Sequence, residues 1–451
     1  MHLKPLRALL ALALLCPVVQ ASEPTRYSVA QLQQDFLAMQ VAIARTHPDI
    51  GHSTDQAALA QAYRKVAVQL QRPMTRDEAW RVLATLNPVF ADAHLTVNQP
   101  DWRGQLRKQV DQGGTLFPFE VVIDQEGEPR LRAELGGKPT ALAGQRISLI
   151  NGRDAREVVA TLLGLAHGDT PAFRRNLLAK RWAYYYWKQY GEAETYVLTV
   201  ADAAGKRQNL TLPGGKALPE QVQTDTDFER QFQFKLLSGN AALLTIKAFS
   251  WADKNRYFDF TKRAFAQMHD AGVETLLIDI RDNGGGDDDM WKQGLLRYIA
   301  ERPYQNGSSY LKKVLTGRAG PGEQVGDVVQ GSIQSWEQPE PSNPLHFAGK
   351  VYVLVGAGTY SSAILFSNAV QDYGFAQLAG SGGYARTQQS GGIQVTALPN
   401  TGLEVVAPRF ILNRSSGKAE PKLVTPDIAL PLDPMDEQGQ VKALLIQLQG
   451  S

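Results

Sequence analysis

Cysteine is nearly absent: Cys16 is the single one in 451 residues, and it stands inside an apolar amino-terminal run. A mature chain that has lost this run can form no disulfide and has no thiol nucleophile. Long hydrophobic stretches are also missing. Ala8 to Leu15 is too short to span a bilayer, and no later segment approaches spanning length, so no membrane span is expected. Neither sign of charge dominates, with 47 Lys and Arg against 45 Asp and Glu. The basic residues are scattered and nowhere alternate with aromatics, which argues against a nucleic-acid partner. No internal repeat or low-complexity tract occurs.

What is present is an ordinary globular composition, 43% hydrophobic and 20% charged, over a length suited to two or three domains. Residues 1–21 have the form of a secretory signal. Lys4 and Arg7 supply the positive start, Ala8 to Leu15 the apolar stretch, and Val19-Gln20-Ala21 the small-residue cleavage site. Export, to the periplasm, is the expectation. Cys16 raises lipoprotein anchoring, but Leu15 occupies the place where such a signal wants a small residue.

Three textures follow. In residues 22–105 apolar positions recur every three and four residues. A helix capped by Ser28, a second from Gln56 to Leu70, and a third opened by the capping-box string Thr75-Arg76-Asp77-Glu78 are predicted to pack as a small bundle. Residues 106–220 turn to short strands and glycine turns: PFEVVID, PRLRAEL, QRISLING and TYVLTVAD. The strand, Asn-Gly turn and helix of ISLINGRDAREVVATLL look like the end of a PDZ-like module. From residue 221 to 451 strands and helices alternate, the pattern of an α/β core. Strands are predicted at Ala241 to Lys247, Thr275 to Ile280, Lys350 to Val355 and Ala376 to Ala379. Helices are predicted at Asp253 to Ala271, Asp288 to Ala300 and Tyr360 to Asp372, with an exposed loop from Gly317 to Asn343.

Two strand-to-helix junctions carry the chemistry. In TLLIDIRDNGGG an apolar strand breaks into Asn and three glycines. Such a run gives up backbone entropy and packs no side chain, so it suits a place where bare N–H groups face a reacting atom, although a tight turn explains it too. In VYVLVGAGTYSSAILFSNAVQDYG a strand enters a glycine turn, and Ser361-Ser362 open a helix. A serine there lies near unpaired N–H groups and the positive end of the helix dipole, which favours a developing oxyanion. It is also where serine routinely serves as an N-cap.

Together the junctions, with the late LVTPDIALP, resemble the serine peptidases that include the tail-specific (C-terminal processing) proteases and the tricorn protease core. The resemblance implies an α/β core of the ClpP/crotonase type behind an N-terminal helical bundle and a β-rich PDZ-like domain. It implies peptide-bond hydrolysis on a peptide or protein substrate, without metal or organic cofactor. It registers the nucleophile on Ser361, with Ser362 as runner-up, and takes the oxyanion donors from the Gly284-Gly285 backbone and Ser362 N–H. The tail-specific branch uses a lysine one strand later. Here GSGGYARTQQSGG puts Arg386 in that place, and arginine cannot be deprotonated to serve as a base. The tricorn branch recruits a histidine after a front helix, and FADAHLTV matches that pattern with Leu95 inserted, which points to His94. For the group that orients His94, the same comparison offers Glu420, seven residues before Asp427. Ala93 replaces the serine expected beside the histidine, and Asp92 competes for the role.

Other groups invite plainer readings: His47 and His52 as loop or capping residues, and Asp287-Asp288-Asp289 as acids complementing a helix dipole. Lys418 and Lys422 read as surface residues. The aromatic run Trp182 to Trp187 either lines a groove or packs a helix. The rival functions are a non-catalytic peptide- or apolar-ligand-binding protein on the same scaffold, and an esterase or amidase using the same groups.

Overall fold

The computed structural model describes residues 25–436 and 438–449; the signal-like segment lies outside them. The front of the chain folds from its caps inward. Ser28 closes a capping box with Gln31 at the start of helix Val29–Thr46, which buries Leu32, Phe36, Met39 and Ile43 along one face. Asp55 caps helix Gln56–Gln69, and Thr75 with Glu78 caps Arg76–Leu83. All three helices stand where the spacing of apolar residues and caps predicts.

In the middle of the chain Phe119–Ile123, Pro129–Glu134, Arg146–Ile150, Thr195–Ala201 and Arg207–Pro213 form an antiparallel sheet in that order. The last is an edge strand with mostly exposed side chains, so it lacks the apolar alternation that marks the others. The aromatic run forms helix Trp182–Tyr190 and is buried. Trp182 packs on Phe117 with ring centroids 5.7 Å apart, and Tyr184 packs on Trp80 of the front helices at 6.2 Å. Packing, and not a groove, accounts for these aromatics.

The back of the chain is a six-stranded sheet ordered Phe232–Leu237, Ala241–Ile246, Thr275–Asp279, Lys350–Val355, Gln377–Gly380 and Ile428–Ala429. Only the first pair is antiparallel. The central strands are buried along nearly their whole length, as sheets covered on both faces require. Two expectations need correction. The helix foreseen from Asp288 to Ala300 is divided into Asp288–Trp291, a π turn at Lys292–Leu296, and Arg297–Ile299. Gly294 within the π turn lies so close to Tyr257 that a Cβ would approach its ring to 2.5 Å. The loop foreseen from Gly317 to Asn343 contains strand Val328–Ser332, paired antiparallel with Ser309–Lys313. Its side chains are largely exposed, so no apolar period announced it.

Two features position the site. Thr275–Asp279 and Lys350–Val355 are parallel neighbours, so the junctions leaving their carboxyl ends lie side by side, where α/β sheets commonly place their sites. They are laced together by Ile280 N–H to Leu354 C=O (3.0 Å), Gly358 N–H to Arg281 C=O (2.9 Å) and Tyr360 N–H to Asn283 C=O (2.9 Å). A small sheet then joins front to back: Thr96–Asn98, just after His94, pairs with Glu404–Ala407, which pairs with Gln394–Ala397.

Candidate active site

Ser361 occupies the sharp bend between strand and helix with φ 55° and ψ −126°, a left-handed conformation costly for a residue with a Cβ. It stands at the N-cap position of helix Ser362–Tyr373, yet its side chain makes no capping bond. Its N–H donates to Gln389 Oε1 at 3.2 Å, and its hydroxyl has no partner among the described residues. Ser362 differs. Its hydroxyl donates to Asp288 Oδ1 at 2.5 Å and accepts from Trp291 Nε1–H at 2.9 Å, in a buried cluster. Of the two serines, only Ser361 carries an uncommitted hydroxyl.

The glycine loop lies directly against this bend. A Cβ on Gly285, whose φ is 94°, would come within 2.6 Å of Ser361 Cβ and 2.8 Å of Ser362 N. Only a residue without a side chain fits there. The Gly285 N–H is already spent, however, since it donates to Asn283 Oδ1 at 2.8 Å. Gly285 therefore supplies closeness, and the donor role expected of it is not available in this arrangement. The N–H groups of Gly284 and Ser362 have no acceptor among the described residues, and Ser362 N–H also opens the helix, where backbone donors are in excess.

His94 sits on the turn that follows the short helix Asn87–Phe90, which Ala91 ends at φ 47°. Asp92 Oδ1 accepts the His94 N–H at 2.7 Å and the Ser390 hydroxyl at 2.9 Å, while Ser390 Oγ lies 3.0 Å from His94 Nδ1. These contacts fix the tautomer. Burial raises the Asp92 carboxyl pKa, but His94, with its N–H bond, and Ser390 outweigh it and hold Asp92 below the usual carboxylate range. An ionised carboxylate only accepts, so it takes the one hydroxyl hydrogen of Ser390. Ser390 Oγ must then accept from His94 Nδ1–H, leaving the Nε2 lone pair free. Burial lowers the His94 pKa against the opposing pull of Asp92 and Ser390, so the ring is neutral near pH 7. The ring lies 4.9 Å, centroid to centroid, from Tyr360, the residue before Ser361. His94 and Ser361 are both half-buried, and no hydrogen bond joins their side chains here.

An uncommitted serine at a strained helix start, bare N–H donors beside it and a neutral imidazole are the parts of an acyl-transfer site. Residues 240–430, which hold both junctions, match the model of peptidase family S41. The α/β core of the chain is accordingly that of a family S41 peptidase, and the chain is a serine-type peptidase. Among solved structures, a point mutant of CPAF is 14% identical, with a TM-score of 0.67 over 93% of this chain and 96% of its own. Mature CPAF is 14% identical, with a TM-score of 0.64 over 94% and 99%. The photosystem II D1 C-terminal processing protease is 18% identical, with a TM-score of 0.46 over 92% and 97%. At such identities the likeness to CPAF is one of fold. A search of curated proteins found no match.

Arg386, which stands at the sequence position expected of a lysine, is committed to structural contacts. Its guanidinium donates to the Ala91 C=O at 2.7 Å and lies 3.3 Å from Asp169 Oδ2, bracing the turn that carries His94. Glu420 is not brought to His94. It is exposed, and its carboxylate accepts the Lys422 N–H at 3.0 Å. Lys418 and Lys422 are exposed as well. His47 Nδ1 accepts the Asp49 N–H at 3.2 Å, and Asp287 caps the helix at Asp288. Among the described residues no group of His, Cys, Asp and Glu has the arrangement of a metal site. Ser390 and Asp169 escaped sequence reasoning. Nothing near Ser390 in QQSGG marks it, and only the fold, some 300 residues apart in sequence, sets it beside Asp92.

Proposed function

We propose that this S41 peptidase is an exported endopeptidase or C-terminal processing peptidase that works through an acyl-enzyme. Ser361 is the nucleophile, His94 the base, and Ser390 and Asp92 the groups that orient it. The observation that carries this reading is the hydrogen-bonded chain Asp92–Ser390–His94, which frees Nε2 of a neutral ring lying against Tyr360, next to Ser361 with its uncommitted hydroxyl.

In the reaction, Ser361 Oγ attacks the peptide carbonyl carbon and passes its proton to His94 Nε2. The carbonyl oxygen becomes an oxyanion held by the N–H groups of Gly284 and Ser362, and each such donor contributes on the order of 3 kcal/mol to lowering the barrier. His94 Nε2–H then protonates the leaving amine as the C–N bond breaks. Water, deprotonated by the same nitrogen, releases the acid and restores Ser361. The reading requires His94 and Ser361 to come into hydrogen-bond reach when substrate binds, and catalytic bonds are commonly loose before that. Export is supported by the signal-like residues 1–21.

Replacing Ser361 with Ala tests the assignment. Peptide hydrolysis should fall by roughly 10⁴- to 10⁶-fold, and labelling by a serine-directed phosphonate should vanish. Retained labelling in S361A would remove Ser361 from the mechanism.

A further inference from the structure

Asp169 belongs to the middle of the chain, between helices Ala155–Leu163 and Pro171–Lys180, yet its side chain is buried at the site with only 2% exposure. Its Oδ1 accepts from the Tyr360 hydroxyl at 2.8 Å and from the Ala93 N–H at 3.2 Å. Its Oδ2 accepts the Arg386 N–H at 3.0 Å. Tyr360 precedes Ser361, and Ala93 precedes His94. One carboxylate thus grips the residue before the proposed nucleophile and the residue before the proposed base. We infer that Asp169 is a positioning residue for the reaction, by which the β-rich middle of the chain holds the two catalytic turns in register.

The segment carrying Asp169 is itself pinned. Thr170 donates its hydroxyl hydrogen to the Tyr384 C=O at 2.8 Å, and Arg174 donates to the Gly168 C=O at 2.9 Å. The Phe173 ring packs 5.0 Å from Tyr360. Asp92 also lies near the Tyr360 hydroxyl, at 3.3 Å, but it shares its turn with His94 and cannot tie that turn to the middle of the chain. Asp169 can. A shift of the middle sheet would pull on both turns at once, and small misplacements of reacting groups are expensive in rate.

The charges around Asp169 give the clasp a pH signature. It faces Asp92, Tyr360, Arg386 and Arg174, and Asp92 in turn interacts with His94 and His167. Burial first, then the neighbouring Asp92, push its carboxyl up to about 6, against the opposing pull of Arg386. Below that pH the protonated group loses its ionic hold on Arg386 and its charge-assisted bond from Tyr360. The acid side of the activity profile should therefore contain a group besides His94.

The inference rests on the Ser361 and His94 reading, and the experiment separates the two. The rate of phosphonate labelling and the kcat and KM for a peptide substrate are measured from pH 5 to 8 for the wild type, D169A, D169N and Y360F. D169A is expected to lose about 10- to 100-fold in kcat and in labelling rate, with KM nearly unchanged. D169N keeps the acceptor without the charge, so it should lose less and should lack the acid-side group near pH 6. Y360F keeps the ring and removes the hydroxyl, so it should repeat the kcat loss even if D169A does not fold. Its combination with D169N should be no worse than the poorer single variant. Wild-type kcat and an unchanged acid limb in folded D169N and Y360F would overturn the role of Asp169. If S361A is inactive in the same assays, that failure leaves the Ser361 reading standing.

Discussion

At the scale of single residues, the site depends on which hydrogen goes where. Ser390 has one hydroxyl hydrogen and two neighbours, and giving it to Asp92 leaves the His94 Nε2 lone pair free, as the proposed base requires. Ser390→Ala should therefore leave the fold intact but lower kcat by about 10²- to 10³-fold, because the wrong tautomer and ring rotations become available. Steady-state kinetics check this, with Ser390→Thr, which keeps the hydroxyl, recovering the larger part. Wild-type kcat in S390A would show that Asp92 orients His94 without it. Much of the proposed site was legible in the sequence: Ser361, His94 and the glycine loop each sit in a local pattern that suggests a chemistry. The orienting group was not, because any buried hydroxyl or carboxylate can serve and nothing near Ser390 or Glu420 in sequence reveals which one arrives. The role of Gly285 was half legible. Its need for no side chain could be read, but Asn283 reaching round to its N–H could not.

At the scale of elements, the turn bearing His94 is held by a strand whose outward groups are met by a side chain. Thr96–Asn98 pairs with Glu404–Val406 on one edge. On the other edge the Val97 N–H donates to Asn87 Oδ1 at 2.7 Å, and Asn87 Nδ2 donates to the C=O groups of Val97 (3.2 Å) and Leu165 (2.9 Å). Asn87 is fully buried, so it acts as a missing strand. Asn87→Ala strands a donor and leaves two carbonyls weakly satisfied, which should cost about 2–4 kcal/mol. Urea unfolding measures it, and a loss under about 0.5 kcal/mol, the range of neutral surface changes, would contradict the assignment. The long, strongly periodic elements, the front helices and the parallel strands, were readable because burial of one face or both imposes a period. Thr96–Asn98, Glu404–Ala407 and Val328–Ser332 were not. They are short, and their partners lie far away in sequence, so pairing and not pattern defines them.

At the scale of the whole molecule, four histidines are wholly or partly buried, and they set the response to acid. Burial is the largest influence on His47, His52, His94 and His167, and holds all four below the ordinary 6.5, His167 down to about 3. A histidine kept neutral by folding contributes stability above pH 6.5, and that contribution is lost as pH falls toward its folded value, because the unfolded chain binds the proton first. Asp169 runs the other way. With its carboxyl raised to about 6, the folded chain holds a proton between about 4 and 6 that the unfolded chain has released, so its contribution is lost as pH rises through that window. A carboxylate held low enters only later. Glu78, bonded by the Thr75 N–H, lies near 2 and matters below about pH 4. Burial raises the Glu120 carboxyl too, so between pH 6.5 and 5 four histidines stand against two acids, unfolding takes up protons and stability should fall. Each net proton is worth about 1.4 kcal/mol per pH unit. Urea midpoints measured from pH 7.5 to 5.0 should drop steadily below 6.5. His167→Gln, which cannot titrate, should flatten that slope by up to one proton without moving the catalytic groups. A midpoint that stays level to pH 5 in the wild type would mean that these rings titrate freely in the folded chain, and the neutral His94 on which the proposed chemistry depends would go with them.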